Sequence, residues 1–218
     1  TMRLSYEYAP KVGNTLYRQS VDMDLRKYQR LGGTALLALR LKGFRSIGDY
    51  PDFQFFGGQG EMRGYDYLQF LGQNVVFTNA ELRFPLIEAM LTPLGVIGGV
   101  RGVFFFNMGG GWFDNSGYVF ATTKSETFKP IIGFDQNENG VPIPIYGNPV
   151  TISGFRLQDA RASYGFGLET FALGFPIHFD WAWRTTFNKD WENVLFGNPA
   201  GGDAFRKAEF SVWIGYDF

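Results

Sequence analysis

Ala208 to Phe218 read AEFSVWIGYDF, and the fold turns on the period of this stretch. Phe210, Val212, Ile214, Tyr216 and Phe218 recur at every second position. Because side chains alternate faces along a strand, one face of the segment is wholly apolar, while Glu209, Ser211, Gly215 and Asp217 share the other with Trp213. The same period marks seven segments upstream. Met2, Leu4, Tyr6 and Tyr8 alternate with Arg3, Ser5 and Glu7, and Val21, Met23 and Leu25 with Asp22, Asp24 and Arg26. Ala35, Leu37, Leu39 and Leu41 are set against Arg40 and Lys42. Val76, Ala80, Leu82 and Phe84 oppose Asn79, Glu81 and Arg83 in a strand predicted to end at Pro85, where a missing N–H is tolerable because pairing stops. From about Val96 to Trp112, the residues Val100, Phe104, Phe106 and Met108 oppose Arg101, Val103 and Asn107. Ala162, Tyr164, Phe166 and Leu168 oppose Arg161, Ser163 and Glu169; Ile177, Phe179, Trp181 and Trp183 oppose His178, Asp180 and Arg184. The reading is an all-β, antiparallel chain.

Composition narrows the class. Aromatics make up 18% of the chain and glycine supplies 29 residues, as expected where bulky side chains face lipid and glycine permits close approach between strands. No run of about eighteen apolar residues exists, which excludes an ordinary membrane-spanning helix but not a spanning strand, since barrel strands give only half their residues to lipid. The net charge of −1 offers nothing to nucleic acid, and the absence of cysteine removes thiol catalysis and disulfides. Thr1 lies inside an apparent strand with no charged or apolar leader before it. The chain is therefore taken as mature or truncated, with an export signal outside it.

Acids and bases on the polar faces are in near balance, which suits the wall of a water-filled lumen with opposite charges on neighbouring strands. A soluble barrel would point those faces outward, and alternation does not separate the two arrangements. Loop lengths favour the membrane. Short connections (Gln29–Thr34, Gly174–Pro176) alternate with long ones (Phe44–Gln73, Asp114–Gln158, Asn188–Lys207), as when one rim faces the periplasm and the other the outside. Pro10–Thr15 is short for an outer loop and Ile87–Gly95 long for a periplasmic one.

Between the third and fourth strands lies FFGGQGEMRGYDY, Phe55 to Tyr67, followed by NAELRFPL, Asn79 to Leu86. A GG turn, then RGY, then this strand resembles the sixth extracellular loop and following strand of the BamA/TamA superfamily of outer-membrane assembly and translocation barrels, the bacterial surface antigen family. The resemblance covers most of the chain. The terminal Phe218 likewise resembles the C-terminal signal by which outer-membrane barrels are recognised by their assembly machinery, with Phe210, Val212, Ile214 and Tyr216 forming its apolar face. The resemblance implies a barrel of about sixteen strands, within the even-numbered range of such barrels. It also implies a loop, residues 44–73, folded into the lumen with Arg63 of the Arg63–Gly64–Tyr65 motif bonded to the wall. The chemistry suits that role, because a guanidinium carries donors in a rigid fork and a neighbouring glycine lets backbone approach closely. In the family the wall partner is an acid in an FxDxG pattern; here FFNMG, Phe105 to Gly109, has Asn107 instead. That change leaves a neutral hydrogen bond unless Glu169 or Asp180 supplies the charge.

Strands of about ten residues with their loops exhaust residues 1–218 at eight, so the chain is expected to be the C-terminal half of a larger transmembrane barrel, one domain completed by a missing N-terminal segment or other subunits. A barrel of about eight strands has an interior just filled by side chains and would not house the loop.

Weaker features are weighed against plainer readings. Asp135, Asn137 and Asn139 with Gly140 copy the first half of a calcium loop, but the position requiring a bidentate glutamate is Tyr146, so an ordinary polar turn is the reading and no metal or cofactor is assigned. His178 and Asp180 share a face, yet no serine nucleophile is identifiable from spacing, and the chain is read as no enzyme. Gly215 permits a bend in the last strand. In the resembled family the first and last strands meet at a weak seam that admits a client strand, so Ala208–Phe218 is either one lip of that seam or a plain closing strand. The expected partners are outer-membrane lipid and client polypeptides. The resemblance thus implies insertion or translocation of proteins at the outer membrane, with a passive pore or structural surface barrel, possibly fused to another N-terminal module, as the alternative.

Overall fold

The computed structural model describes residues 1–92, 95–172, 175–197 and 200–215. With 61% strand and 7% helix the chain is all-β. In the first part of the chain the elements are β1 (Met2–Ala9), β2 (Arg18–Leu31), β3 (Ala35–Gly48), β4 (Gln54–Phe56), β5 (Phe70–Gly72), β6 (Asn74–Thr92) and β7 (Gly95–Trp112). Six short strands follow: β8 (Ala121–Thr122), β9 (Glu126–Phe128), β10 (Ile131–Gln136), β11 (Pro142–Tyr146), β12 (Val150–Ile152) and β13 (Arg156–Leu157). The chain continues through β14 (Arg161–Ala172), β15 (Phe175–Thr185), α1 (Lys189–Phe196), α2 (Ala200–Arg206) and β16 (Glu209–Ile214).

One antiparallel sheet runs in the order β1-β2-β3-β6-β7-β14-β15-β16, taking up all eight segments with a two-residue period. Its edges are β1 and β16. Among the described residues these two strands do not pair with each other, and the sheet is open. Several boundaries differ from the sequence reading: β2 runs on to Leu31, through Gln29 where a connection is expected, and the expected long loop Asp114–Gln158 carries β8 to β13. β3 runs to Gly48, held by its register with β2 from Leu31↔Ala35 to Arg18↔Gly48. β6 does not stop at Pro85: a register shift between Pro85 and Ile87 inserts an extra residue, and pairing with β7 resumes at Ile87↔Val100. A bulge removes the need for a ladder N–H at the proline, so the strand passes through it.

The chain forms two compact units, Thr1–Tyr118 with Ala162–Trp183 and Ala208–Phe218, and Val119–Arg161 with Arg184–Lys207. In the first, the two faces of the sheet differ in a way opposite to a water-soluble fold. Ser20, Asp24, Arg40, Asn79, Glu81, Asn107, Ser163, His178 and Asp180 are buried, whereas Leu39, Leu41, Phe104, Tyr164, Phe210, Val212 and Ile214 are exposed. Neighbouring strands set opposite charges together on the polar face. Asp24 takes a forked pair of bonds from Arg40 at 3.2 and 2.8 Å and another from Arg26, and Lys42 lies 3.1 Å from Asp22.

The second unit contains three two-stranded sheets, β8 with β13, β9 with β12 and β10 with β11, and the helices. Arg156, fully buried, donates to Glu126 (2.6 Å), the Lys124 carbonyl (2.8 Å) and Gln158 (2.9 Å), and its guanidinium stands 5.4 Å from the Trp191 ring. Sequence alternation reads residues 188–207 as loop; Lys189–Phe196 and Ala200–Arg206 within it are the helices α1 and α2. Asn188, extended at φ −146°, caps α1 by accepting from the Trp191 N–H at 3.0 Å, the usual way an orphan N–H is satisfied at a helix start. Glu192, also buried, accepts from the Thr186 N–H at 2.7 Å and from Arg206 at 3.1 Å. Among the described residues no helix is long and apolar enough to cross a membrane, which says nothing of strands.

Candidate functional site

The segment between β4 and β5 lies on the polar face of the sheet. Three aromatics seat its base: Phe56 stacks on Phe77 of β6 at 5.4 Å and on Phe70 at 5.0 Å, and Tyr65 meets Phe70 edge-on at 5.1 Å. Met62 and Phe56 are fully buried, so the loop supplies the apolar cover that this face lacks. Backbone bonds shape the tip, with Met62 N–H donating to the Gly58 carbonyl at 2.8 Å and Gly57 N–H to the Glu61 carboxylate at 2.9 Å. Arg40 reaches up to the Gly60 carbonyl at 3.3 Å.

Arg63 stands at the centre, 3% exposed. Its Nη2 donates to Glu81 Oε1 at 2.7 Å, its Nε lies 3.5 Å from Asp180 Oδ2, and its plane lies over Phe105 at 4.6 Å and Trp213 at 5.8 Å. Gly64 follows with φ +84°, the left-handed region that favours glycine. Tyr65 then turns its hydroxyl onto the Ala162 carbonyl of β14 at 3.0 Å. Arg63 and Tyr65 of the RGY motif thus engage β6, β15 and β14.

The carboxylate nearest Arg63 is Glu81, which the sequence places on the polar face of its strand without assigning it to the arginine. Its other oxygen takes a fork from Arg83 at 2.8 and 2.6 Å, so one buried acid serves two guanidiniums. Of the three wall residues considered from sequence, Asp180 is in the cluster. Glu169 pairs with Arg101 at 3.6 Å. Asn107 links strands: its Oδ1 accepts from Asn79 Nδ2 at 2.8 Å and its Nδ2 donates to Ser163 Oγ at 3.2 Å, while Asn79 also donates to the Glu61 carbonyl of the loop. A neutral amide both accepts and donates there, which a carboxylate does not do. The charge that faces Arg63 is supplied instead by Glu81 of β6 and Asp180 of β15.

At the edge of the sheet, Trp213 of β16 donates its Nε1 to Asp180 Oδ2 at 2.7 Å and stacks on His178 at 3.7 Å with 5° between the planes. His178 Nε2 lies 2.9 Å from the Gly215 carbonyl. The sequence reading paired His178 with Asp180 and took Trp213 merely as an occupant of the polar face; adjacency across strands, Trp213 opposite His178, is what joins them. Phe210, Val212 and Ile214 are exposed on the opposite face of β16. Tyr216 and Phe218 lie outside the described residues, as does Gly174 of the short connection.

The polar run Asp135–Gly140 is the end of β10 and the turn into β11. Asn137 Oδ1 accepts from the N–H groups of Asn139 (3.0 Å) and Val141 (2.8 Å), and Asp135 Oδ1 from Gln136 N–H (2.8 Å). Those oxygens close the turn. Among the described residues no cluster of three or more His, Cys, Asp or Glu side chains is placed to hold a metal.

No curated protein and no solved structure matches the chain. The Omp85 superfamily domain matches residues 3–218, nearly the whole length and inclusive of the RGY loop, the acid on β6 and the terminal strand. The chain belongs to the Omp85 superfamily, a group associated in general with the outer membrane and with protein insertion and translocation there.

Proposed function

We propose that the chain is the C-terminal part of a BamA/TamA-type barrel of about sixteen strands that takes part in inserting or translocating polypeptides at the outer membrane. Its partners are outer-membrane lipid and client chains, with further strands from the same protein or another subunit closing the wall. The observation that carries this reading is the loop. Residues 44–73 include the segment that covers the polar face with Phe56, Met62 and Tyr65 and ties Arg63 to two strands, filling the side a simple water channel would leave open. The inverted faces support a lipid setting: an apolar, exposed face and a buried, charge-paired one fit strands that are solvated by acyl chains on one side. No catalytic residue and no cofactor enter the mechanism. Its chemistry is exchange of backbone hydrogen bonds. An edge such as β16, with unsatisfied N–H and C=O groups, offers a client strand partners before that strand meets lipid, and so lowers the cost of bringing polar backbone into the bilayer.

The test places the complete protein in phospholipid vesicles, adds a urea-unfolded client barrel and follows the client's heat-resistant, folded band over time. Faster folding than in empty vesicles is expected. Ion conductance without any acceleration of the client would replace this reading by the passive pore.

A further inference from the structure

Asp180 does more than anchor the loop. It sits on β15, the strand next to the edge, and one of its oxygens, Oδ2, meets two different parts of the chain: Arg63 of the loop at 3.5 Å and the indole N–H of Trp213 on β16 at 2.7 Å. The carboxylate is 1% exposed. Space for it comes from Gly167 on β14, where any Cβ would collide with Asp180 Oδ1. The His178 ring stacks on the indole at 3.7 Å, and the Arg63 guanidinium lies 5.8 Å from its centre. Among the described residues β16 is short: its ladder with β15 runs from Glu209 to Ile214, and the Gly215 N–H donates to the Pro176 carbonyl at 3.3 Å. Its outer residues Phe210, Val212 and Ile214 are more than half exposed. Trp213 thus ties β16 to the buried interior through its indole N–H and its ring.

We propose that Trp213 is a positioning residue through which the Arg63 loop holds the terminal strand: loop and strand share the Asp180 carboxylate, so release of the loop loosens β16 from β15. Arg63 fixes the orientation of the carboxylate, which makes it a directed acceptor for the indole. Without the guanidinium, a buried carboxylate left with a single neutral donor is poorly compensated and turns toward water, which weakens the bond to Trp213. The charged and titratable groups around this junction include Arg63 from the loop, Glu81 and Arg83 from β6, and Asp180 and His178 from β15. The inference rests on the reading of β16 as the strand that parts from its neighbour during client exchange, and it gives that parting a control outside the strand itself.

Amide hydrogen exchange on the complete protein folded in vesicles measures the coupling. Arg63→Ala is expected to speed exchange not only across residues 57–65 but also across Glu209–Ile214, by about ten- to a hundredfold, the factor that corresponds to one lost charge-assisted hydrogen bond. Trp213→Phe keeps the ring against His178 and removes the N–H. It should speed exchange in β16 alone, and in its presence Arg63→Ala should add little there. Unchanged β16 exchange in Arg63→Ala with a deprotected loop would overturn the coupling, as would effects of the two substitutions that simply add. If Arg63→Ala does not assemble, Arg63→Lys, which keeps charge and loses the fork, is read by the same criteria. The client-folding assay is a separate readout: coupled exchange without client acceleration removes the insertion role and leaves the latch standing, and client acceleration with uncoupled exchange does the reverse.

Discussion

The densest use of charge in the molecule is at Glu81, where a carboxylate 1% exposed meets Arg63 with one oxygen and Arg83 with the other. Burying an ion pair gives little net stability over a well-packed apolar substitute, but removing one partner leaves the other charge stranded. Glu81→Gln therefore should destabilise the folded protein by about 3–5 kcal/mol, as for other broken buried pairs. It should also speed exchange in the loop. The measurement is urea unfolding in detergent, followed by the loss of the compact band on unheated gels; a midpoint equal to that of the parent would show that Arg63 and Arg83 are solvated in the folded state. Gly167→Ala attacks the same junction from the other side, because the new methyl group occupies the place of Asp180 Oδ1. Overpacking of this kind costs about 1–3 kcal/mol, and here it should be accompanied by faster exchange in β16, since the displaced carboxylate no longer meets Trp213.

Among the elements, α1 is the one whose start is set by a single residue. The Asn188 side chain accepts from Trp191 N–H, and its Nδ2 donates to the Ser153 carbonyl at 2.9 Å. Asn188→Ala should cost about 0.5–2 kcal/mol of local stability, read as faster proteolysis within residues 188–207 while the eight-stranded sheet keeps its protection. Equal cleavage would assign the helix start to Glu192 and its contacts instead. This helix also marks where sequence reading stops. Eight strands were legible because each gives one face to apolar residues, and a period of two survives over segments as different as MRLSYEYA and EFSVWI. KDWENVLF has no such pattern and is too short for a helical period to stand out. Pro85 misled for a related reason: proline ends most ladders, and only the register shows that a bulge accommodates it. In the candidate site, RGY was legible as a motif, and Asp180 as a wall residue. Glu81 as the partner of Arg63 was not, because the two meet through the path of the loop over the sheet, which strand alternation does not describe.

At the scale of the whole sheet, the distinguishing property is which face is covered. A soluble sandwich hides its apolar side, whereas here Asn79, Glu81, Asn107 and Asp180 are hidden and Leu41, Phe104 and Phe210 are open. The arrangement is stable only if something apolar surrounds the open face, because leaving those side chains in water forfeits the burial that would offset the ordering of the strands. Leu41 tests this directly. It lies within β3, opposite Leu25 on one neighbour and Thr78 on the other, and is 39% exposed. In water, replacing such a surface leucine by arginine changes stability by about 0.5 kcal/mol at most. Facing acyl chains near the middle of a bilayer, the same change costs about 2–4 kcal/mol. Leu41→Arg should thus shift the urea midpoint for folding into phospholipid vesicles strongly. Tyr50→Arg, in the exposed loop after β3, should shift it little. If both variants match the parent in vesicles, the open face does not contact lipid, and the apolar surface must be covered by protein instead.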